Sequence, residues 1–235
     1  MQQGAAPGST ADTRLLASLT SLSPLALGND AHRLLEAGVD ALHIDIGDGH
    51  FVPFMTYGLS VAVALADATD AEIEVHLMVD EPEAWIAELT GHRIARVWFH
   101  VEATRYPWRV ASVIRGAGAE AGLALNPVTP ITVLQMLGRS VDAINLLGVD
   151  HDFMRGDLLL EGTIERVRDA REILSGTTRL EVDGGVDASN AAGLVRAGAD
   201  ELVVGRAICG RPDWISAVAE LRAAAADQSD ARTRP

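Results

Sequence analysis

Lysine is missing from this chain of 235 residues, in which all 19 basic side chains are arginine. A Schiff base to a carbonyl substrate, or to a pyridoxal cofactor, is made by a lysine amine. Lysine-dependent aldolases, decarboxylases and pyridoxal enzymes are therefore excluded. Cysteine is almost missing. The single Cys209 allows no internal disulfide and fits a reducing compartment, with the expected role of a small apolar filler. No apolar run reaches the roughly 18 residues that cross a bilayer. No charged start leads into an apolar segment of secretory type. Together these point to a cytoplasmic protein with no membrane partner. Positive charge is in deficit as well: the net charge is −14. Such a chain repels phosphate backbones, which argues against nucleic acid as a partner. A small anion held by a local positive site stays open.

What is present is apolar. Hydrophobic residues make up 48% of the chain, enough for one large core, and the length fits one domain of barrel size. Runs rich in Val, Ile and Leu recur at residues 15–20, 41–46, 72–79, 96–101, 121–126, 143–149, 179–183 and 201–204. Most are continuous, as parallel strands buried on both faces are. Helix signals lie between them. Ser23-Pro24 reads as an N-cap followed by proline at the first helical position, and Thr129-Pro130 repeats the pattern. Ala37-Gly38 and Ala197-Gly198 read as helix stops. Eight strand–helix units predict a single-domain (β/α)8 barrel over residues 14–225. Residues 1–13 are expected to be a disordered extension and residues 226–235 a flexible tail. The rival, an open doubly wound sheet, needs a glycine-rich dinucleotide turn after the first strand, and the sequence has none.

Four side chains with metal-binding chemistry sit in or at the end of separate apolar runs. His43 and Asp45 are two apart, so in a strand they share a face. His76 lies in Ile73-Glu74-Val75-His76-Leu77-Met78, and Asp183 ends Leu180-Glu181-Val182-Asp183. A carboxylate on a buried strand is costly unless paired or bound to a cation. In a barrel, the C-terminal strand ends carry function, and all four fall at or near such ends. Two imidazoles and two carboxylates suit one divalent ion, with Zn²⁺, Mn²⁺, Fe²⁺ and Co²⁺ not distinguished. Strands two and seven face each other across the mouth, so Asp45 and Asp183 can flank a planar substrate. An ion on a carbonyl and a neighbouring hydroxyl acidifies the C–H between them. One carboxylate then removes that proton and the other delivers a proton to the opposite face, which inverts the carbon.

The stretch from Leu42 to Pro53, Leu-His-Ile-Asp-Ile-Gly-Asp-Gly-His-Phe-Val-Pro, resembles the ribulose-phosphate 3-epimerase family. So do, in order, Val75-His76-Leu77-Met78, Phe99-His100-Val101-Glu102-Ala103-Thr104, Leu125-Asn126-Pro127-Val128-Thr129-Pro130 and Glu181-Val182-Asp183-Gly184-Gly185-Val186. The likeness covers most of the chain, from about Leu15 to Ala223. It implies His43, Asp45, His76 and Asp183 as metal ligands and Asp45 with Asp183 as the acid/base pair. It places Ser18 in the active site and Met78 on the pocket wall. It also implies a homo-oligomer and a pentose phosphate substrate, D-ribulose 5-phosphate giving D-xylulose 5-phosphate.

The remote end of the site departs from the family pattern. The strand-six loop of the family, Pro-Gly-Phe-Gly-Gly-Gln, is His151-Asp152-Phe153-Met154-Arg155-Gly156 here. Gly-Ser-Ala-Ile after strand eight is Gly205-Arg206-Ala207-Ile208, two pocket methionines become Gly47 and Leu147, and the Asn after Phe-Val-Pro is Phe54. Gly184, Gly185 and Gly205 are expected to keep part of an anion-binding surface. Arg206 and Arg155 are expected to grip the anion. The expected activity is an isomerase, a carbohydrate epimerase acting beside a ketose carbonyl through an enediolate. The alternatives are a paralogue for a different ketose or ketose phosphate, a metal-binding barrel without turnover, and a metal-dependent lyase. The last lacks an evident group to protonate the departing fragment.

Overall fold

The computed structural model describes residues 13–150, 158–174 and 177–227. Eight parallel strands close into a barrel in chain order: β1 (Arg14–Ser18), β2 (Ala41–Gly47), β3 (Ile73–Met78), β4 (Arg96–His100), β5 (Glu120–Leu125), β6 (Ala143–Leu147), β7 (Arg179–Asp183) and β8 (Glu201–Val204). Between and after them run α1 (Leu27–Glu36), α2 (Leu59–Ala68), α3 (Glu83–Ile86), α4 (Pro107–Gly116), α5 (Leu134–Leu137), α6 (Thr163–Ile173), α7 (Ala191–Ala197), α8 (Arg206–Cys209) and α9 (Trp214–Ala226). The expected (β/α)8 architecture is what forms, because each strand is apolar on the face that meets its helices. Leu15, Leu42, Ile44, Ile73, Val75, Val97, Leu123, Ile144, Leu180 and Leu202 join helix residues such as Leu34, Ile114 and Leu194 in one buried sleeve.

The alternate residues point into the barrel, and few of them are apolar. Leu16, Ala41 and Val203 form a small separate cluster. Glu74, Arg96, Glu181 and Glu201 are buried. Gly122 leaves room for the Trp98 ring, because a Cβ there would lie 2.1 Å from a ring carbon. Barrel interiors are usually layers of branched apolar side chains; this one is largely ionic.

Several local expectations shift. The first helix begins at Leu27, not after Ser23-Pro24: residues 23–26 make a turn, with the Ala26 N–H on the Ser23 carbonyl at 3.1 Å. Pro130 precedes a short 3-10 turn, Ile131–Val133, and Thr129 is drawn away from capping because its hydroxyl donates to Glu102. The glycine stops hold. Gly38 and Gly198 take φ of 97° and 115°, a region open to glycine without a Cβ penalty. The expected strands 121–126 and 143–149 end at Leu125 and Leu147. Helix α9 carries the barrel's last element to Ala226. The extension expected over residues 1–13 and the tail over 226–235 lie, apart from residues 13, 226 and 227, outside the described residues. No helix among the described residues is long and apolar enough to cross a membrane.

Candidate metal centre and active site

Strand register builds the site. β2 and β3 pair so that Asp45 stands opposite His76 and His43 opposite Glu74; β1 sets Ser18 opposite His43. Strand β7 ends at Asp183, across the barrel. Period two turns His43, Asp45, His76 and Asp183 into the mouth together. His43 and His76 are fully buried, and the two aspartates are only 8% and 9% exposed.

The four side chains converge on one point. His43 Nε2 lies 3.1 Å from Asp45 Oδ1 and 3.5 Å from Asp183 Oδ2. His76 Nδ1 lies 3.2 Å and 3.3 Å from the same two oxygens. One donor atom from each of the four falls within 4.8 Å of the others. His76 Nδ1 is buried yet makes no hydrogen bond within the protein. A buried polar atom without a partner is costly, and a divalent ion at the shared centre satisfies it. Mixed imidazole and carboxylate donors are the set such an ion takes, so the residues fit a metal.

Electrostatics agree. Burial alone disfavours the imidazolium of His43, but the carboxylates of Asp45 and Asp183 overcome it and hold its pKa well above the ordinary value. His76 is raised in the same way, burial being outweighed by Asp183 and Asp45. Burial would push Asp45 up, but the two imidazoles hold it well below the carboxylate range. The pair of carboxylates calls for positive charge between them.

The two aspartates are supported unequally. Asp45 Oδ2 accepts from the Ser18 hydroxyl at 3.1 Å and the Thr20 hydroxyl at 2.6 Å. Among the described residues no hydroxyl donates to Asp183. The end of β2 is pinned by Thr56, which accepts from the Gly47 N–H at 2.8 Å and donates to the Asp45 carbonyl. Asp48 then ties down the following loop through the N–H groups of His50, Phe51 and Asp80.

Below the mouth lies a layer that sequence reasoning passed over. His43 Nδ1 meets Glu74 Oε1 at 2.6 Å. Glu74 Oε2 accepts from Arg96 at 3.1 Å, and Arg96 also reaches Glu201 at 2.5 Å and stands 3.8 Å from Glu181. Burial would raise Glu74, but His43 and Arg96 bring it to about 2. Glu181 goes the other way: burial and the charge of Glu74 push it well above its usual value, and Asn145 donates to it at 2.7 Å. Three buried carboxylates beside one buried guanidinium cannot all be charged cheaply, and Glu181, the farthest of the three from Arg96 at 3.8 Å, is the one shifted toward its neutral form. The signal was there: Glu74 and Glu181 each lie two residues before a site residue on the same strand face. His76 Nε2 lies 2.9 Å from His100 Nε2, and His100 Nδ1 lies 3.2 Å from Glu102.

The remaining expected residues lie at or after the ends of β1, β3, β7 and β8. Met78 is buried at the end of β3, in register with Gly47. A Cβ on Gly47 would meet the Phe54 carbonyl at 2.9 Å, with the Phe54 ring at 3.4 Å. Gly184 and Gly185 take φ of 91° and 72°. Val149 crowds the first, and the backbone of Leu158 and Leu159 presses on the second, at 2.4 Å from a Cβ position to the Leu159 nitrogen. Gly205 faces Ser21 and Ser18. Arg206 opens α8 and is exposed. His151, Asp152, Phe153, Met154, Arg155 and Gly156 lie outside the described residues, so the grip expected of Arg155 has no described geometry. Cys209 is half-buried beside the Ser18 carbonyl, and burial with the nearby Asp30 pushes its thiol up to about 11.

Comparison with known proteins adds the following. A model described as the ribulose-phosphate 3 epimerase family matches residues 14–209. The ribulose-phosphate 3-epimerase of Serratia marcescens is 36% identical over 201 residues, covering 84% of this chain and 95% of that one. Its namesake in Escherichia coli (strain K12) is 34% identical, with coverage of 87% and 92%, and that of Bacillus subtilis (strain 168) is 32% identical, with 87% and 96%. Among solved structures, a 3-hexulose-6-phosphate synthase superimposes with a TM-score of 0.69 at 24% identity, over 90% of this chain and 99% of that one. At that identity the likeness concerns the fold alone.

Proposed function

The chain belongs to the ribulose-phosphate 3-epimerase family and is an isomerase of the epimerase class acting on carbohydrates, and from that premise we propose that it is a metal-dependent epimerase converting D-ribulose 5-phosphate to D-xylulose 5-phosphate. The observation that carries the reading is the convergence of His43, Asp45, His76 and Asp183, with one aspartate from each side of the barrel mouth. The four residues would hold one divalent ion. That ion supplies Lewis-acid polarisation of the ketose carbonyl and the neighbouring hydroxyl, which acidifies the C3 proton.

The chain's own residues do the rest. Asp45 turns Oδ1 toward the imidazoles and leaves Oδ2, held by Ser18 and Thr20, as the oxygen that takes or gives a proton on one face. Those hydroxyls keep Oδ2 in place as it changes charge. Asp183 turns Oδ2 inward, so its Oδ1 serves the other face. A proton removed by one and returned by the other through a substrate enediolate inverts C3. The reaction runs in either direction by exchanging the two roles. Ser18 and Met78 border the reacting end. Gly184, Gly185, Gly205 and Arg206 receive the phosphate, with Arg206 supplying the charge that a serine does not. The protein works in the cytoplasm as a homo-oligomer, and its barrel domain spans residues 14–225.

The test is ¹H NMR in D₂O with purified, metal-supplemented protein. Ribulose 5-phosphate should lose its C3 proton signal as xylulose 5-phosphate appears, and exhaustive chelation should abolish both. Exchange that survives chelation refutes the metal reading.

One observation favours a second substrate. Arg206, exposed at the start of α8, stands where the family has a serine, which suits a different ketose. Arg206→Ala discriminates. If Arg206 grips an anion equally in ground and transition states, KM rises and kcat holds. An unaffected variant that turns over free ketoses as fast as phosphorylated ones assigns the enzyme to the other sugar.

A further inference from the structure

We infer that His100 and Glu102 are positioning residues that fix which nitrogen of His76 faces the metal centre; this rests on the metal-dependent reading above. Aimed into the cluster, His76 Nδ1 touches carboxylate oxygens of Asp45 and Asp183 without hydrogen-bonding to either. To ligate, that nitrogen needs its lone pair, so the ring proton must sit on Nε2. The chain provides a place for it. His76 Nε2 lies 2.9 Å from His100 Nε2, and the two ring planes are only 13° apart. Nearly parallel rings let the N–H of one point at the in-plane lone pair of the other.

Between two imidazole nitrogens only one carries the proton, and Glu102 decides which. His100 Nδ1 lies 3.2 Å from Glu102 Oε2. A carboxylate can only accept, so Nδ1 of His100 holds a proton and its Nε2 is left as the acceptor. Burial would raise Glu102, but contacts with His100, Thr129 and the Asn126 N–H bring it to about 2, so it stays charged at any working pH. The Asn126 N–H bonds its other oxygen at 2.9 Å and the Thr129 hydroxyl donates there too, anchoring the carboxylate to the loop after β5. His100 itself is fully buried, with Phe51 across its ring at a centroid distance of 4.7 Å. With His100 neutral, the sequence Glu102–His100–His76 has one proton arrangement, and it presents Nδ1 of His76 to the ion. Carboxylates and imidazoles behind metal ligands typically change metal affinity 10–100-fold when removed.

The experiment measures Co²⁺ binding to the full chain by competition with a chromophoric chelator, together with the visible spectrum of the Co²⁺ protein. His100→Phe keeps the volume and removes the acceptor. It should weaken Co²⁺ binding about 10–100-fold and alter the spectrum while the far-UV dichroism is unchanged. His100→Gln, whose amide oxygen accepts from Nε2–H, should recover most of the affinity. Glu102→Leu, which removes the acceptor of the His100 Nδ1 proton, should weaken binding by a smaller factor and stands in if the Phe variant does not fold. Wild-type affinity and spectrum in His100→Phe, or in Glu102→Leu where the first is unfolded, overturn the inference and leave the functional reading intact. Tight Co²⁺ binding by the wild type without C3 exchange overturns the functional reading alone. A wild-type chain that takes up no ion overturns both.

Discussion

The two halves of the barrel mouth are built on different principles. At the reacting half, three of the four converging side chains are backed by others: His43 by Glu74 and Arg96, His76 by His100 and Glu102, Asp45 by Ser18 and Thr20. These supports lie on the strands themselves or on the turns that leave them, and Glu74, Arg96, His100 and Ser18 among them are buried. At the remote half the wall is glycine backbone, Gly184, Gly185 and Gly205, with one exposed arginine. Position there depends on which segments pack against the glycines. A proton transfer needs fixed atoms, because a misplaced acid or base costs orders of magnitude, whereas holding an anion tolerates several arrangements of donors. The half whose geometry is demanding sits on the sheet, and the half that can be re-tailored sits on loops.

The comparison is broken most severely at the aspartates. Asp45→Asn and Asp183→Asn should each cut turnover by at least about 10²–10⁴-fold, the contribution of a positioned acid or base, while the fold survives. Steady-state kinetics beside far-UV dichroism check this. Near-normal turnover in Asp183→Asn sinks the two-base scheme.

Next in size is the ionic layer beneath. Arg96→Met leaves the buried Glu74 without a guanidinium and Glu201 with that of Arg14, at 2.9 Å. Breaking a buried ion pair from one side costs about 3–5 kcal/mol, to be read by urea denaturation. The loss should extend to metal uptake, since Glu74 orients His43. A variant as stable as the wild type shows that the layer is not the support it is described as.

The remote half should yield less. Gly185→Ala places a Cβ at a positive φ, where strain costs about 1–3 kcal/mol, and pushes on the Leu158–Leu159 backbone. The expected result is a higher KM with kcat and metal content retained. A fall in kcat at unchanged KM would show that the halves are not separable.

The smallest effect belongs to a control at the opposite end of the barrel. Asp142 accepts from Arg115 at 3.0 and 3.1 Å and from the Ala121 N–H at 2.8 Å. Burial would raise its pKa, but these partners lower it. A carboxylate lowered on folding contributes stability above its unfolded value, and that contribution fades as pH falls through the folded one. Melting temperature against pH should therefore converge for the wild type and Asp142→Asn as acid is added, with kinetics alike at neutral pH. Curves that stay parallel exclude the linkage.

Much of this was legible in one dimension. Eight apolar runs at strand length pointed to a parallel sheet covered by helices, and the missing glycine-rich turn after the first strand favoured the closed form over the open one. Period two within a strand put His43 and Asp45 on one face. The same period places Glu74 behind His76 and Glu181 behind Asp183, but what makes those glutamates a layer is Arg96, which the closed sheet brings to them from another strand. The proline signals at Pro24 and Pro130 misled. A local cap competes with tertiary partners, and Thr129 is recruited by Glu102 from a different strand end.

By itself the sequence determined the absence of lysine chemistry, the barrel, and the four residues that converge at its mouth, because composition and periodicity act on each segment alone. Only the tertiary structure decided that Arg96 sits among three buried carboxylates from β3, β7 and β8 and that His76 Nε2 meets His100 Nε2. Those outcomes depend on distances between residues far apart in the chain, and electrostatic energy in a buried interior is set by such distances.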